Sequence, residues 1–147
     1  MKLEHAVQVA APRERVWAFL MDVPAMAACI PGASDVAQID ERTFDATVTA
    51  KIGPVSAKFG CRIVVLELDE AAGSGHIEVV GKDMKLGGGI KATMRMQLRE
   101  DGAGTAIDIL SDVDIMGRIG QYGHGIITKR ADAMLDAFSA CAQAKLA

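Results

Sequence analysis

The feature that most constrains the fold is a change of hydrophobic period. From about residue 34 to 115 apolar side chains recur at every second position, and from about Arg118 to the end they recur every three to four. The first period sends alternate side chains to opposite faces of a strand, and the second traces a stripe along a helix. Phe44, Ala46, Val48 and Ala50 share one face, and Val55, Ala57, Phe59, Cys61, Ile63 and Val65 follow the Gly53-Pro54 turn as the other arm of a hairpin. Ile77 and Val79 flank Glu78, while Ile90, Ala92, Met94, Met96 and Leu98 alternate with Lys91, Thr93, Arg95, Gln97 and Arg99. After an Asp101-Gly102 turn, Ile107, Ile109, Val113 and Ile115 oppose Asp108, Asp112 and Asp114. Gly87-Gly88-Gly89 marks a flexible turn or bulge. The region reads as six antiparallel strands. Beyond it Ile119, Tyr122 or Gly123, Ile126, Ile127, Met134, Ala137, Phe138 and Cys141 form the stripe of one long helix.

Ahead of this region, Leu3, His5, Val7 and Val9 alternate with Glu4, Ala6 and Gln8, which predicts a first strand. Pro12 starts a short helix with Val16, Trp17 and Leu20 on one side; Val23-Pro24 interrupts it, Ala25 to Cys29 make further turns, and Pro31-Gly32 ends them. A single sheet has one apolar face to cover and the terminal helix has one stripe to bury, so the two must pack together. The expected fold is α+β: a curved antiparallel sheet of about seven strands wrapped around a long C-terminal helix, with two short helices after the first strand. Residues 1–147 form one domain, without repeat, linker or low-complexity segment.

Composition narrows the function classes. Sixteen basic against 19 acidic residues give a net charge of -3, which disfavours a nucleic-acid partner. At this length folding removes roughly 68 to 70% of the unfolded surface from water, enough for a core that needs no disulfide. Cys29, Cys61 and Cys141 are odd in number and far apart, so they read as small buried hydrophobes in a reducing compartment. Glu4 and His5 stand where an export signal needs an apolar run, and the longest stretch free of acidic and basic residues, Val23 to Ser34, is too short to span a bilayer. A cytoplasmic protein is expected.

Three segments carry a family resemblance. Ala28-Cys29-Ile30-Pro31-Gly32 follows the second helix, Lys51-Ile52-Gly53-Pro54-Val55 forms the hairpin, and Gly117, Gln121 and Gly123 enter the last helix. Together they resemble the carbon monoxide dehydrogenase G-subunit family, CoxG, over essentially the whole chain. The order of elements resembles the helix-grip fold of the START, Bet v 1 and polyketide-cyclase superfamily. The resemblance implies a cavity between sheet and helix that holds a hydrophobic molecule, lipid-like or, from the redox context, quinone-like. It also implies a non-catalytic accessory role beside a molybdenum-containing dehydrogenase of the carbon monoxide dehydrogenase type. Some members of the family carry a C-terminal extension that engages the cytoplasmic membrane; this chain stops at Ala147, so its expected membrane association is peripheral contact at the inner face, with no integral segment.

The expected lining of such a cavity is Trp17, Met26, Phe44, Phe59, Met94, Met96, Tyr122 and Ile126, with Gly123 at the mouth. Each also fits an ordinary core. The cavity reading rests on the set: with aromatics at only 4% and eight methionines, apolar volume comes from thin, flexible side chains that leave space. Gly117, Gly120, Gly123 and Gly125 make room for a ligand or let backbones approach closely. His5, Thr105 and Ser111 fall on the inner face, where they can orient a polar head group. Arg130 interrupts the helix stripe, so its guanidinium snorkels to solvent, the favoured reading, or meets a buried acceptor such as a ligand carbonyl. The basic row Lys91, Arg95, Arg99 and the acidic row Asp108, Asp112, Asp114 form a solvated face of cross-strand charge pairs or a docking surface.

His76 and His124 lack ligand spacing, so no metal site and no cofactor is expected. No phosphate loop, nucleophile elbow or Cys–His pair is present, and no catalytic residue is assigned. Two alternatives stay open: a cyclase or dehydratase on the same fold, which requires a titratable pair inside the cavity, and a pure assembly factor acting through the charged face.

Overall fold

The computed structural model describes every residue except 53, 86, 118, 119, 121–123 and 147, together with all side chains but those of these residues, Val55 and His124. The chain runs β1 (Lys2–Val9), α1 (Arg13–Met21), α2 (Val23–Ala27), β2 (Ala33–Asp40), β3 (Thr43–Ile52), β4 (Val55–Asp69), β5 (Ser74–Asp83), β6 (Gly89–Asp101), β7 (Gly104–Met116) and α3 (His124–Leu146). The seven strands make one antiparallel sheet in the order β1-β7-β6-β5-β4-β3-β2. First and last strands are therefore neighbours, paired from Lys2↔Asp112 to Val9↔Thr105, and α1 and α2 carry the chain from one edge of the sheet to the other. The α+β architecture expected from the two periods is the one observed. The terminal helix is described from His124 on; most of the stripe ahead of it, and Gly53 of the Gly53-Pro54 turn, lie outside the described residues.

Local chemistry fixes the crossing. Asp22 ends α1 and caps α2, its carboxylate accepting the Ala25 N–H at 3.3 Å. Gly32 then has a positive φ of 81° and lies so close to β3 that a Cβ would sit 2.0 Å from the Thr49 carbonyl oxygen. The Thr49 N–H donates to the Gly32 carbonyl at 3.0 Å, so only glycine fits the Pro31-Gly32 corner. Arg13 ties α1 to the β4–β5 turn by donating to the carbonyls of Glu70 at 3.1 Å and Ala71 at 2.7 Å.

The interior consists of two clusters. The larger joins Val7, Val9, Val16, Trp17, Phe19, Leu20, Leu98 and Ile107 to Phe138, Ala142 and Leu146 at the end of α3, with the Phe19 and Phe138 rings 6.3 Å apart. Thr105 is buried within this end, its hydroxyl donating to the Ala11 carbonyl at 2.8 Å. The smaller joins Ala50, Ile52, Ala57 and Phe59 to Ile127 in the first turn of α3.

The cysteines correct the sequence reading. Cys29 and Cys141 are joined in a disulfide that ties the segment after α2 to α3, and only Cys61 is free. The two are 112 residues apart, and no spacing rule reveals a pairing that depends on α3 lying over the α2–β2 corner. Closing so long a loop stabilises the folded chain by about 2–4 kcal/mol. Thiol titration of the unfolded, unreduced chain should find one reactive cysteine, and three after reduction; Cys141→Ser should lower unfolding free energy by about 2–4 kcal/mol in denaturant titrations. Three thiols before reduction would exclude the bridge.

Candidate functional site

Between the two clusters the sheet keeps presenting apolar side chains inward, but α3 does not cover them. The alternation that buries Ala50 and Ile52 puts Phe44, Ala46 and Val48 on the same face of β3, and the register continues it through Ile63 and Val65, Ile77 and Val79, Met94 and Met96, and Ile109. All of these are only half-buried, the same degree of exposure as Thr43, Val64, Glu78 and Thr93 on the opposite, solvated face. Half-burial of polar residues on an outer face is ordinary; half-burial of a contiguous apolar inner face marks an unfilled groove. Helix α3 bridges it, resting on β1 along its length and on β3 near its start.

The helix turns three kinds of side chain toward this region. Ala131 and Met134 are half-buried. Asp132 faces β1, where its carboxylate meets Nε2 of His5 at 2.5 Å; the His5 side chain is 15% exposed and Asp132 56%. The carboxylate fixes the proton on Nε2 and leaves Nδ1, which is buried and has no hydrogen-bond partner among the described residues. Arg130 lies on the other flank of α3, half-buried, with Nε buried and unpartnered. On β7 Ser111 is buried, opposite Leu3 of β1 and Met94 of β6. Cys61 sits beside the smaller cluster, and burial pushes its thiol up from the ordinary range, which makes it a poor nucleophile near neutral pH.

The structure distributes the residues expected to line the cavity. Phe44, Met94 and Met96 are brought together on the half-buried floor, Met96 at its border with the larger cluster. Trp17 is buried within that cluster and Met26 packs against it, while Phe59, 2% exposed, is buried in the smaller one. Ile126 is 40% exposed beside buried Ile127, because the buried stripe of α3 runs through Ile127, Phe138, Ala142 and Leu146. Tyr122 and Gly123 lie outside the described residues. Gly117 packs backbone to backbone: its φ is 86°, and an added Cβ would be 2.8 Å from the Gly88 Cα. Sequence reasoning missed the role of Asp132, since a contact between positions 5 and 132 leaves no local pattern.

The outer face carries charged pairs beside exposed Val80 and Leu110. Asp45 receives Arg62 at 2.8 and 2.9 Å, which holds its carboxyl below the usual carboxylate range, and Arg99 meets Asp108 at 2.6 Å. Two open depressions of about 720 and 620 Å³ lie on this face, the first beside Glu67, His76, Arg95 and Asp108, the second beside Asp45, Arg62, Glu78 and Lys82. Among the described residues, no helix is long and apolar enough to cross a membrane.

Solved structures share this architecture. A conserved protein from Geobacillus kaustophilus superposes with a TM-score of 0.89 at 19% identity, over 99% of this chain and 95% of that one. A START superfamily protein from Mycobacterium smegmatis gives 0.64 at 17%, over 99% and 96%. The Zhui aromatase/cyclase from Streptomyces sp. R1128 gives 0.62 at 16%, over 99% and 90%. At these identities the likeness is one of fold. No curated protein matches the chain significantly in sequence. Residues 6–147 match the carbon monoxide dehydrogenase G-subunit family (CoxG), and the chain belongs to that family, on a helix-grip fold of the START and Bet v 1-like kind.

Proposed function

We propose that the chain binds a hydrophobic molecule, lipid- or quinone-like, in the groove beneath α3 and acts without catalysis as an accessory to a carbon monoxide dehydrogenase-type molybdenum enzyme. The observation that carries the ligand is the continuous row of half-buried apolar side chains facing a helix that leaves them uncovered. The partner follows from membership of the CoxG family. In this reading Phe44, Met94 and Met96 form the floor, Met26, Trp17 and Phe59 close the ends, and Ile126 stands at the mouth. Thioether and aliphatic side chains suit a ligand of variable shape better than a fixed aromatic cage.

The protein works on the cytoplasmic side, in peripheral contact with the inner face of the membrane. Exposed Met84 and Met116, at 65% and 54%, lie at one end of the sheet, and the exposed lysines Lys51, Lys58, Lys82 and Lys85 belong to the same end. Apolar side chains ringed by lysines suit an anionic bilayer surface. Thiol reductants on that side would act on the Cys29–Cys141 bridge.

A second reading, a cyclase or dehydratase, has one specific observation in its favour: His5 and Asp132 form a titratable pair at the flank of the groove. Its weakness is that Asp132 opens to solvent.

Solvent extraction of the purified chain followed by mass spectrometry should release a hydrophobic compound. Ala46→Trp, which adds a large ring to the half-buried floor, should lower its occupancy by about tenfold while leaving thermal stability nearly unchanged, because the ring enters space and not packed core. An empty wild-type protein that also fails to bind any lipid or quinone saturably would defeat the reading. Turnover of a polyketide-like substrate abolished by His5→Gln would favour the second.

A further inference from the structure

Arg130 forms no hydrogen bond or ion pair among the described residues, although its side chain is half-buried and its Nε is shut off from water. A donor shut off from water without an acceptor loses hydration and gains nothing in return, and the Nε–H of Arg130 is such a donor. Other arginines of this chain are well supplied: exposed Arg62 has Asp45, exposed Arg99 has Asp108, and half-buried Arg13 has two carbonyls. Arg130, whose buried nitrogen needs an acceptor most, has none, and it stands on the ligand-facing helix.

Its position is informative. Ile127, Met134 and Cys141 lie three, four and eleven residues away, so Arg130 shares their side of α3. Ile127 is buried in the smaller cluster and Cys141 is bonded beneath the helix to Cys29. Asp132, which faces β1, occupies the opposite flank and binds His5, so it is committed elsewhere. Arg130 thus stands between the two clusters, over the flank turned away from β1, toward the half-buried floor. Of the Arg130 nitrogens only Nε is buried without a partner among the described residues; the terminal nitrogens keep access to solvent, so the tip of the guanidinium is open to water or to a ligand.

We infer that Arg130 is the head-group receptor of the groove and that the occupant is a carboxylate amphiphile, a fatty-acid-like molecule whose chain lies on Phe44, Ile63, Ile77 and Met94 and whose carboxylate pairs with the guanidinium. This rests on the ligand-binding reading and narrows it. A planar carboxylate matches the fork of donors with two parallel charge-assisted bonds, whereas an ester or ketone offers one neutral oxygen. The pairing removes the cost of the unpaired cation only when ligand is present, so it favours acids over neutral lipids of equal length.

The test uses the delipidated full chain, the neutral dye Nile red as reporter, and laurate and methyl laurate as competitors. Laurate should displace the dye at a concentration at least about tenfold lower than its methyl ester does. Arg130→Gln should erase that preference, each competitor being scored against that variant's own dye affinity, and Arg130→Lys should retain part of it. Thermal melts of the variants separate this from a folding defect: a structural arginine would lower the melting temperature and dye binding together, and that outcome would overturn the assignment. Equal displacement by acid and ester in the wild type, or a preference that survives Arg130→Gln, would overturn it too while leaving a neutral ligand in place. Absence of saturable Nile red binding would instead remove the ligand-binding reading itself, and the head-group assignment with it.

Discussion

The structure depends on how α3 is pinned across the sheet. Its 23 residues span about 34 Å, and it is held at its ends: by Ile127 against Phe59 and its neighbours at the start, and by Phe138, Ala142, Leu146 and the Cys29–Cys141 bridge at the finish. Between these anchors α3 follows β1 at the edge of the sheet, so the side chains that the curved inner strands present beneath its other flank remain half-exposed. The groove is a geometric consequence of that anchoring. The apolar floor is continuous with the two cores in sequence pattern, and differs from them only in what lies above it.

This explains what the sequence could reveal. Strand faces were legible because a period of two is a local property: each inward residue from Phe44 to Ile115 could be assigned from its neighbours. The long helix was legible for the same reason, with its stripe displaced enough that Ile126 and Ala137 face outward. The height of the helix above each strand is not local, so nothing in the alternation separates Phe59, which packs solidly, from Phe44, which does not. Trp17 illustrates the same limit: its ring fills the space between α1 and the sheet, a fact set by the crossing of α1 and α2. Pairings such as His5 with Asp132 and Cys29 with Cys141 join segments more than a hundred residues apart and arise only once the first strand lies beside the last helix.

Charge organises the outside as the groove organises the inside. The outer-face rows place Lys91 opposite Asp114, and Arg99 reaches Asp108 diagonally. Such exposed pairs contribute at most about 1 kcal/mol each, so their value lies in orientation more than stability. The lysines of the β3–β4 and β5–β6 end face Met84 and Met116, whereas the turns at the other end carry Asp40, Glu41, Glu70, Glu100 and Asp101.

Placing stability at the two ends of the helix has a functional corollary. If the middle of the interior were packed to the density of the ends, any ligand would have to displace side chains, and the cost would be subtracted from its affinity. Because the ends hold the helix independently, the middle can stay open without loss of the fold, and a ligand that covers the floor adds the apolar burial the polypeptide itself leaves undone. Binding and folding are then linked through mass action: occupancy stabilises the whole domain by an amount set by ligand concentration over its dissociation constant. On the proposed reading Arg130 fits this scheme as the polar counterpart of the floor, a group with one buried donor that a bound head group would satisfy.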